Sequence, residues 1–223
     1  MKYAILPLLL VFSYLDASGI ILQKRKIKIE NRFLQIGKVY KGLPSSETDA
    51  DYKKLEDTLK KLDDSFQTGE REKRGPLLTE SRLTLKKIEK GYSQFLDNEA
   101  KELISLYVVN AREKLSIPNS NKKKLTPETK EKIEKANRAE DFFRMAKRER
   151  SAGHRYTTNR NYFFSIHQFK RSIEYSIKAM QEAGVDVPEK YSKAAKEWSG
   201  KGEETAASGG DAKAGADKSS TSP

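Results

Sequence analysis

Chemistry at neutral pH needs a nucleophile, a base or a metal ligand, and few residues of this chain offer one. The two histidines, His154 and His167, belong to no His-Glu-x-x-His pattern. The absence of cysteine removes a thiolate zinc site, a cysteine nucleophile and a disulfide framework. Glu140 and Asp141 are adjacent on a helical stretch, so they point in different directions and make a poor acid–base pair. Gly200-Lys201-Gly202 lacks the third glycine and the strand–helix setting of a phosphate loop, and no Gly-x-Ser-x-Gly occurs. His167, between Ile166 and Phe169, reads as a partly buried helix residue rather than a ligand. The expectation is a non-enzymatic protein with no cofactor and no bound metal.

What the chain does carry is positive charge interleaved with aromatic rings. Lys147-Arg148-Glu149-Arg150, His154-Arg155-Tyr156 and Arg160-Asn161-Tyr162 follow one another closely. Guanidinium groups there can grip carboxylates or phosphates, and tyrosines add flat contact area. Arg148, Arg150, Arg155, Tyr156, Arg160 and Tyr162 are therefore the expected partner-binding residues, against the alternative of a solvated loop whose aromatics turn inward. Lys24-Arg25-Lys26-Lys28 is a second basic cluster, suited to anionic lipid or an acidic filament, or else a frayed terminus. Lys122-Lys123-Lys124 reads as a solvated linker. A formal charge of +12 directs the search to anionic partners: nucleic acid, membrane or envelope polymer, or an acidic protein surface.

The elements that must position these residues are all helical. Phe163, Ile166, Phe169, Ile173, Ile177 and Met180 recur at steps of three and four, which places them on one stripe of a helix over residues 160–183. Ala139, Phe142, Phe143 and Ala146 have helical spacing as well, and small residues beside aromatics let two helices approach closely, so an αα-hairpin is expected. Upstream, Ile29, Phe33, Ile36 and Tyr40 mark a helix over residues 23–41, ended by Gly42-Leu43-Pro44. Ser46 and Asp49 are candidate starts for the next helix, whose seam is Tyr52, Leu55, Leu59, Leu62 and Phe66. A charged turn is expected from Gly69 to Gly75-Pro76. A long helix then runs from Leu77 to Ile117-Pro118 through Leu85, Ile88, Tyr92, Phe95, Ala100, Leu103, Tyr107 and Ala111. Its apolar phase slips near Asp97-Asn98, where a bend is expected. Thr126-Pro127-Glu128 restarts the helix with Thr as cap and Pro at the first position, and Ser151-Ala152-Gly153 is read as its end, leaving a loop to Asn161. Asp186, Pro188 and Glu189 signal a last helix with Tyr191, Ala194, Ala195 and Trp198 inward. Residues 200–223 have the composition of a disordered tail.

At the amino terminus, Met1-Lys2-Tyr3, an apolar run from Ala4 to Leu15 and the small residues Ala17-Ser18-Gly19 have the layout of a secretory signal cleaved near Gly19. The competing reading is an uncleaved anchor extended through Ile20, Ile21 and Leu22, which Asp16 interrupts. The expected organisation is a signal at 1–19, a helical region at 20–118, a linker at 119–126, a helical hairpin region at 127–199 and a tail. The fold class is all-α, an elongated antiparallel bundle of helical hairpins.

Two resemblances follow from particular residues. Ala139, Phe142-Phe143 and Ala146, answered by Phe169, Ser172-Ile173, Ser176 and Ala179, resemble a single tetratricopeptide-type helix pair without its Trp-x-x-Leu-Gly opening. Leu83-Thr84-Leu85-Lys86-Lys87-Ile88-Glu89-Lys90-Gly91-Tyr92, together with Tyr162-Phe163-Phe164-Ser165-Ile166 leading into Lys170-Arg171-Ser172-Ile173, resembles the flagellar-coiling proteins of spirochaetes. These are exported, all-helical proteins that coat the periplasmic flagellar filament. The resemblance implies a sheath component in motility, contacting like subunits and the filament core. The alternatives are a periplasmic binding module for an anionic envelope polymer or lipid, and an intracellular nucleic-acid binder if the amino terminus is not a signal.

Overall fold

A helix striped with aromatic and aliphatic residues has to be covered by neighbours, and in the computed structural model four other helices cover it. The structure describes residues 5–40, 43, 47–114 and 126–199, with side chains of the first helix from Gly19 onward. The helices are α1 (Ile5–Tyr40), α2 (Asp49–Gln67), α3 (Arg71–Lys114), α4 (Pro127–Thr158), α5 (Tyr162–Glu182) and α6 (Ser192–Ser199), the last entered through a 3-10 turn at Glu189–Tyr191. Among the described residues there is no strand, and the fold is all-α. α5 packs chiefly on α4 and α3 and also touches α1 and α6. All six residues of its expected stripe are buried. Ile36 of α1, Leu55 of α2, Ile88 of α3 and Ile173 of α5 belong to the same core, so the helices before and after residues 115–125 are packed together. The expected linker at 119–126 (all but its last residue, Thr126), the helix end at Ile117-Pro118, Ser46 as a helix start, and the tail at 200–223 lie outside the described residues.

α4 and α5 approach closely because their facing residues are small. Ala139, Ala146 and Gly153 are buried on α4, and Ser172 of α5 donates its Oγ hydrogen to the Ala146 carbonyl at 2.8 Å. Ser176 satisfies itself on the Ser172 carbonyl at 2.8 Å. A Cβ on Gly153 would run into the Phe169 ring, which is itself buried. This corrects the expected helix end at residues 151–153: glycine is there to admit an aromatic ring, and α4 continues to Thr158. Glycine costs about 1 kcal/mol relative to alanine in a helix, less than the roughly 1.5–3 kcal/mol gained by burying a phenylalanine.

α4 ends instead in a Schellman turn. The Asn161 N–H bonds to the Tyr156 carbonyl at 2.8 Å and the Arg160 N–H to the Thr157 carbonyl at 2.9 Å, with Arg160 at φ 55° in the left-handed region. α5 closes in the same way, but with Gly184 in the left-handed position. At the other end of α4, Thr126 Oγ1 accepts from the Thr129 N–H and Pro127 is the first helical residue, as expected.

The expected charged turn at residues 69–76 is also corrected, because α3 begins at Arg71 and carries Pro76 within it. Pro76 offers no N–H to the helix, yet Arg74 fixes this first turn onto α2. Its guanidinium donates to the Ser65 carbonyl at 3.1 and 3.0 Å, occupying an end carbonyl of α2, and lies 4.5 Å from the Phe66 ring centroid. α3 is helical throughout, Gly91 and Asp97-Asn98 included, so its 44 residues amount to about 66 Å of helix measured along its axis at about 1.5 Å per residue. On this helix, the phase slip swaps Leu96, which is fully buried, for Phe95, which is partly so. The last helix starts later than expected. Asp186 and Glu189 cap nothing, and the chain enters α6 from Pro188 through the 3-10 turn. Buried Tyr191 sets this entry, its hydroxyl donating to Glu99 of α3.

Candidate functional site

The basic and aromatic residues gather where α4 turns into α5. Arg148, Ala152 and Arg155 of α4 and its capping residue Asn159 recur at helical spacing and form one wall of a surface cavity of ≈ 450 Å³, which Gln168 of α5 reaches from the other side. Tyr156 borders the cavity and stacks on Phe164 of α5, with ring centroids 5.7 Å apart and planes at 28°. Both rings remain open to solvent, at 37% and 48% exposure. Such a pair is already ordered before any partner arrives, so little side-chain entropy is lost on contact. Arg148 and Arg155 are exposed and form no ion pair among the described residues. Glu149 is the one acidic residue in the lining.

The expected site residues separate into three groups. Arg148, Arg155 and Tyr156 share the cavity, and Arg160 stands exposed at the turn just beyond it. Tyr162 opens α5 half-buried, with its carbonyl accepting from the Ser165 hydroxyl at 2.7 Å, and it does not line the cavity. Arg150 points the other way, toward α3, where its Nε lies 2.8 Å from Asp97 Oδ1. His154 completes that cluster at 3.2 Å from the same oxygen. Phe164 and Gln168 were missed. The available signal was that Phe164 is an aromatic residue out of phase with the buried stripe of its own helix.

The other candidates resolve as follows. His167 is half-buried with its ring edge-on to Phe163 at 5.0 Å. Burial, and then Lys170 and Arg171, hold its imidazole below the usual range. Asp141 pairs with Arg144 one turn on. In the amino-terminal basic cluster, Lys26 turns to Glu30 and to Asp63 of α2, while Arg25 and Lys28 border a cleft against α3. Tyr107, buried and stacked on Phe143 at 4.5 Å, has its phenol pushed up to about 12 by desolvation. Among the described residues, no three His, Asp or Glu side chains gather as a metal site. No helix among them is long and apolar enough to cross a membrane.

No family model, curated protein or solved structure matches this chain. Fold and surface together define it as an all-α helical bundle with a basic, aromatic face at one helix–helix turn.

Proposed function

We propose that the protein is an exported, non-catalytic interaction protein, a stiff helical body that docks onto an acidic protein surface through the α4–α5 turn. The observation that carries this reading is the exposed Tyr156–Phe164 stack flanked by Arg148, Arg155 and Arg160, cations without an ion pair among the described residues. Contact energy at protein interfaces concentrates in Tyr and Arg of this kind. Arg160 adds a second argument. A non-glycine residue in the left-handed region costs about 1 kcal/mol, and a cation held there at a surface turn suits a binding role. The partner we favour is a subunit of a periplasmic flagellar filament or its sheath, the role implied by the resemblance of residues 83–92 and 162–173.

The test is co-sedimentation of the purified protein with isolated periplasmic flagella. The double variant Arg155→Glu/Arg160→Glu should lose most of the pelleted protein while keeping its helical circular dichroism. Lys132→Glu, an exposed charge reversal elsewhere on α4, should pellet like the wild type. Equal recovery of the double variant and the wild type would remove the α4–α5 face from the proposal. Failure of the wild type to pellet at all would remove the filament.

A further inference from the structure

Where helices of this protein meet, charge usually answers charge. Lys26 pairs with Asp63 between α1 and α2, and Lys54 with Glu80 and Lys87 with Asp51 between α2 and α3. Arg150 pairs with Asp97 between α3 and α4, and Arg138 with Glu182 between α4 and α5. The cleft between α1 and α3 keeps this pattern only at its base, where Arg32 meets Glu89, and breaks it at the rim. Arg25, Lys28 and Arg32 recur at helical spacing on α1 and face Arg82 and Lys86 of α3 across a cavity of ≈ 480 Å³. That volume lies in the range of sites that hold a small molecule, roughly 300–1,000 Å³. Arg25, Lys28, Arg82 and Lys86 are exposed and have no ion pair among the described residues, so four like charges share one opening.

Two further features make the cleft more than a basic surface. Ile29, Leu78 and Leu85 give it an aliphatic lining, and Thr79 adds a hydroxyl. It also contains one carboxyl group, Glu89, which is only 5% exposed. Arg32 Nε stands 3.2 Å from Glu89 Oε1 but lacks hydrogen-bond geometry, and that oxygen has no hydrogen-bond partner. Arg32 is held in place from the other side by the Phe163 ring, 4.8 Å from its guanidinium carbon. A buried acceptor left unmade is costly, and burial pushes the Glu89 carboxyl up against the pull of Arg32 and Lys86. A ligand that fits must therefore bring several negative oxygens for the rim, carbon for the lining, and a hydrogen-bond donor for Glu89. Inorganic phosphate supplies the oxygens and, from its own P–OH, a donor, but no carbon for the aliphatic lining.

We infer that the α1–α3 cleft binds a phosphate ester of a polyol, its phosphate oxygens on Arg25, Lys28, Arg82 and Lys86 and a hydroxyl of the polyol donating to Glu89. Arginine suits phosphate because its planar fork donates two parallel hydrogen bonds. The same chemistry is available from a free polyol phosphate or from a phospholipid headgroup. Ile20, Ile27 and Leu34 lie exposed at seven-residue spacing on α1, an apolar stripe that would accompany a lipid-borne ligand. This site is separate from the α4–α5 face and stands or falls without it.

The experiment uses calorimetric titration of the full chain with inositol monophosphate and with inorganic phosphate, and flotation with phosphatidylglycerol or phosphatidylcholine vesicles. Inositol monophosphate should bind about tenfold or more tightly than inorganic phosphate, and Arg82→Glu/Lys86→Glu should abolish the binding. Glu89→Met, similar in volume but without the accepting oxygens, should keep inorganic phosphate binding and shrink the preference for the ester. Flotation with phosphatidylglycerol vesicles alone, lost in Arg82→Glu/Lys86→Glu, would assign the ligand to a lipid headgroup. Ester binding without flotation would assign it to a free polyol phosphate. Equal binding of ester and inorganic phosphate, insensitivity to Arg82→Glu/Lys86→Glu, or tighter binding of an acidic peptide or RNA oligomer would overturn the proposal.

Discussion

Arg150 Nε and Asp97 Oδ1 stand 2.8 Å apart across the α3–α4 seam, and the side chains are 27% and 21% exposed. A cation expected on the docking face is thus a tie inside the bundle. Screening by the remaining solvent limits its strength, so a coupling of about 1 kcal/mol is expected from a double-mutant cycle of Arg150→Ala and Asp97→Ala followed by urea denaturation. Partner binding should be unchanged in Arg150→Gln and reduced in Arg155→Gln. The reverse result would return Arg150 to the docking face.

Two helical glycines make different predictions. Gly153→Ala drives a methyl group into the buried Phe169 ring, an overpacking that costs about 1–3 kcal/mol against a helix-propensity gain of at most about 1 kcal/mol. At Gly75, within α3, a Cβ would meet nothing from other parts of the chain within 4 Å, but the ring of the following Pro76 disfavours a helical residue with a Cβ before it. Gly75→Ala should therefore change stability by less than the usual gain of about 0.5–1 kcal/mol and cost less than Gly153→Ala. Thermal unfolding of the two variants beside the wild type checks this order. A stable Gly153→Ala would mean that α4 can slide away from α5 at little cost.

That contrast explains much of what was legible beforehand. The α5 stripe could be read because helices on several sides bury it, which forces strict periodicity from Phe163 to Met180. The Thr126-Pro127 start was legible because a cap is a local device. Gly153 and the stretch from Gly69 to Pro76 misled for a shared reason: both resemble breaks in isolation, and both are overridden by contacts from another helix, Phe169 in one case and the α2 carbonyls held by Arg74 in the other. Charge showed the same limit. Arg148, Arg150 and Arg155 look alike in a string, and only the position of Asp97 on α3 draws one of them inward. The α1–α3 cleft joins two helical stripes far apart in the chain, and neither stripe alone implies it.

Arg160 and Gly184 occupy the same position of the same helix-ending turn, at φ 55° and 65°. Arg160→Gly should therefore raise stability by about 1 kcal/mol, and Gly184→Ala should lower it by a similar amount. On the docking reading, Arg160→Gly also weakens filament binding while the melting temperature rises. Arg160→Lys separates the two effects, because it keeps both the charge and the backbone cost. Measured together, melting and co-sedimentation should move in opposite directions for Arg160→Gly and barely move for Arg160→Lys.

His167 and Glu89 should give stability two pH dependences of opposite sign. The His167 imidazole is held below its ordinary value by burial, with Lys170 and Arg171 adding repulsion, so its proton binds more readily in the unfolded chain. Its contribution is present above about pH 6.5 and is lost as pH falls through the lower folded value. The Glu89 carboxyl is pushed above its ordinary value by burial. Its contribution is complete below about pH 4.5 and is lost as pH rises through the higher folded value. Urea midpoints between pH 4 and 8 should fall less steeply on acidification in His167→Gln than in the wild type. Glu89→Gln should gain stability relative to the wild type near pH 7 and lose that advantage near pH 4. A His167→Gln profile parallel to the wild type would place the acid sensitivity elsewhere.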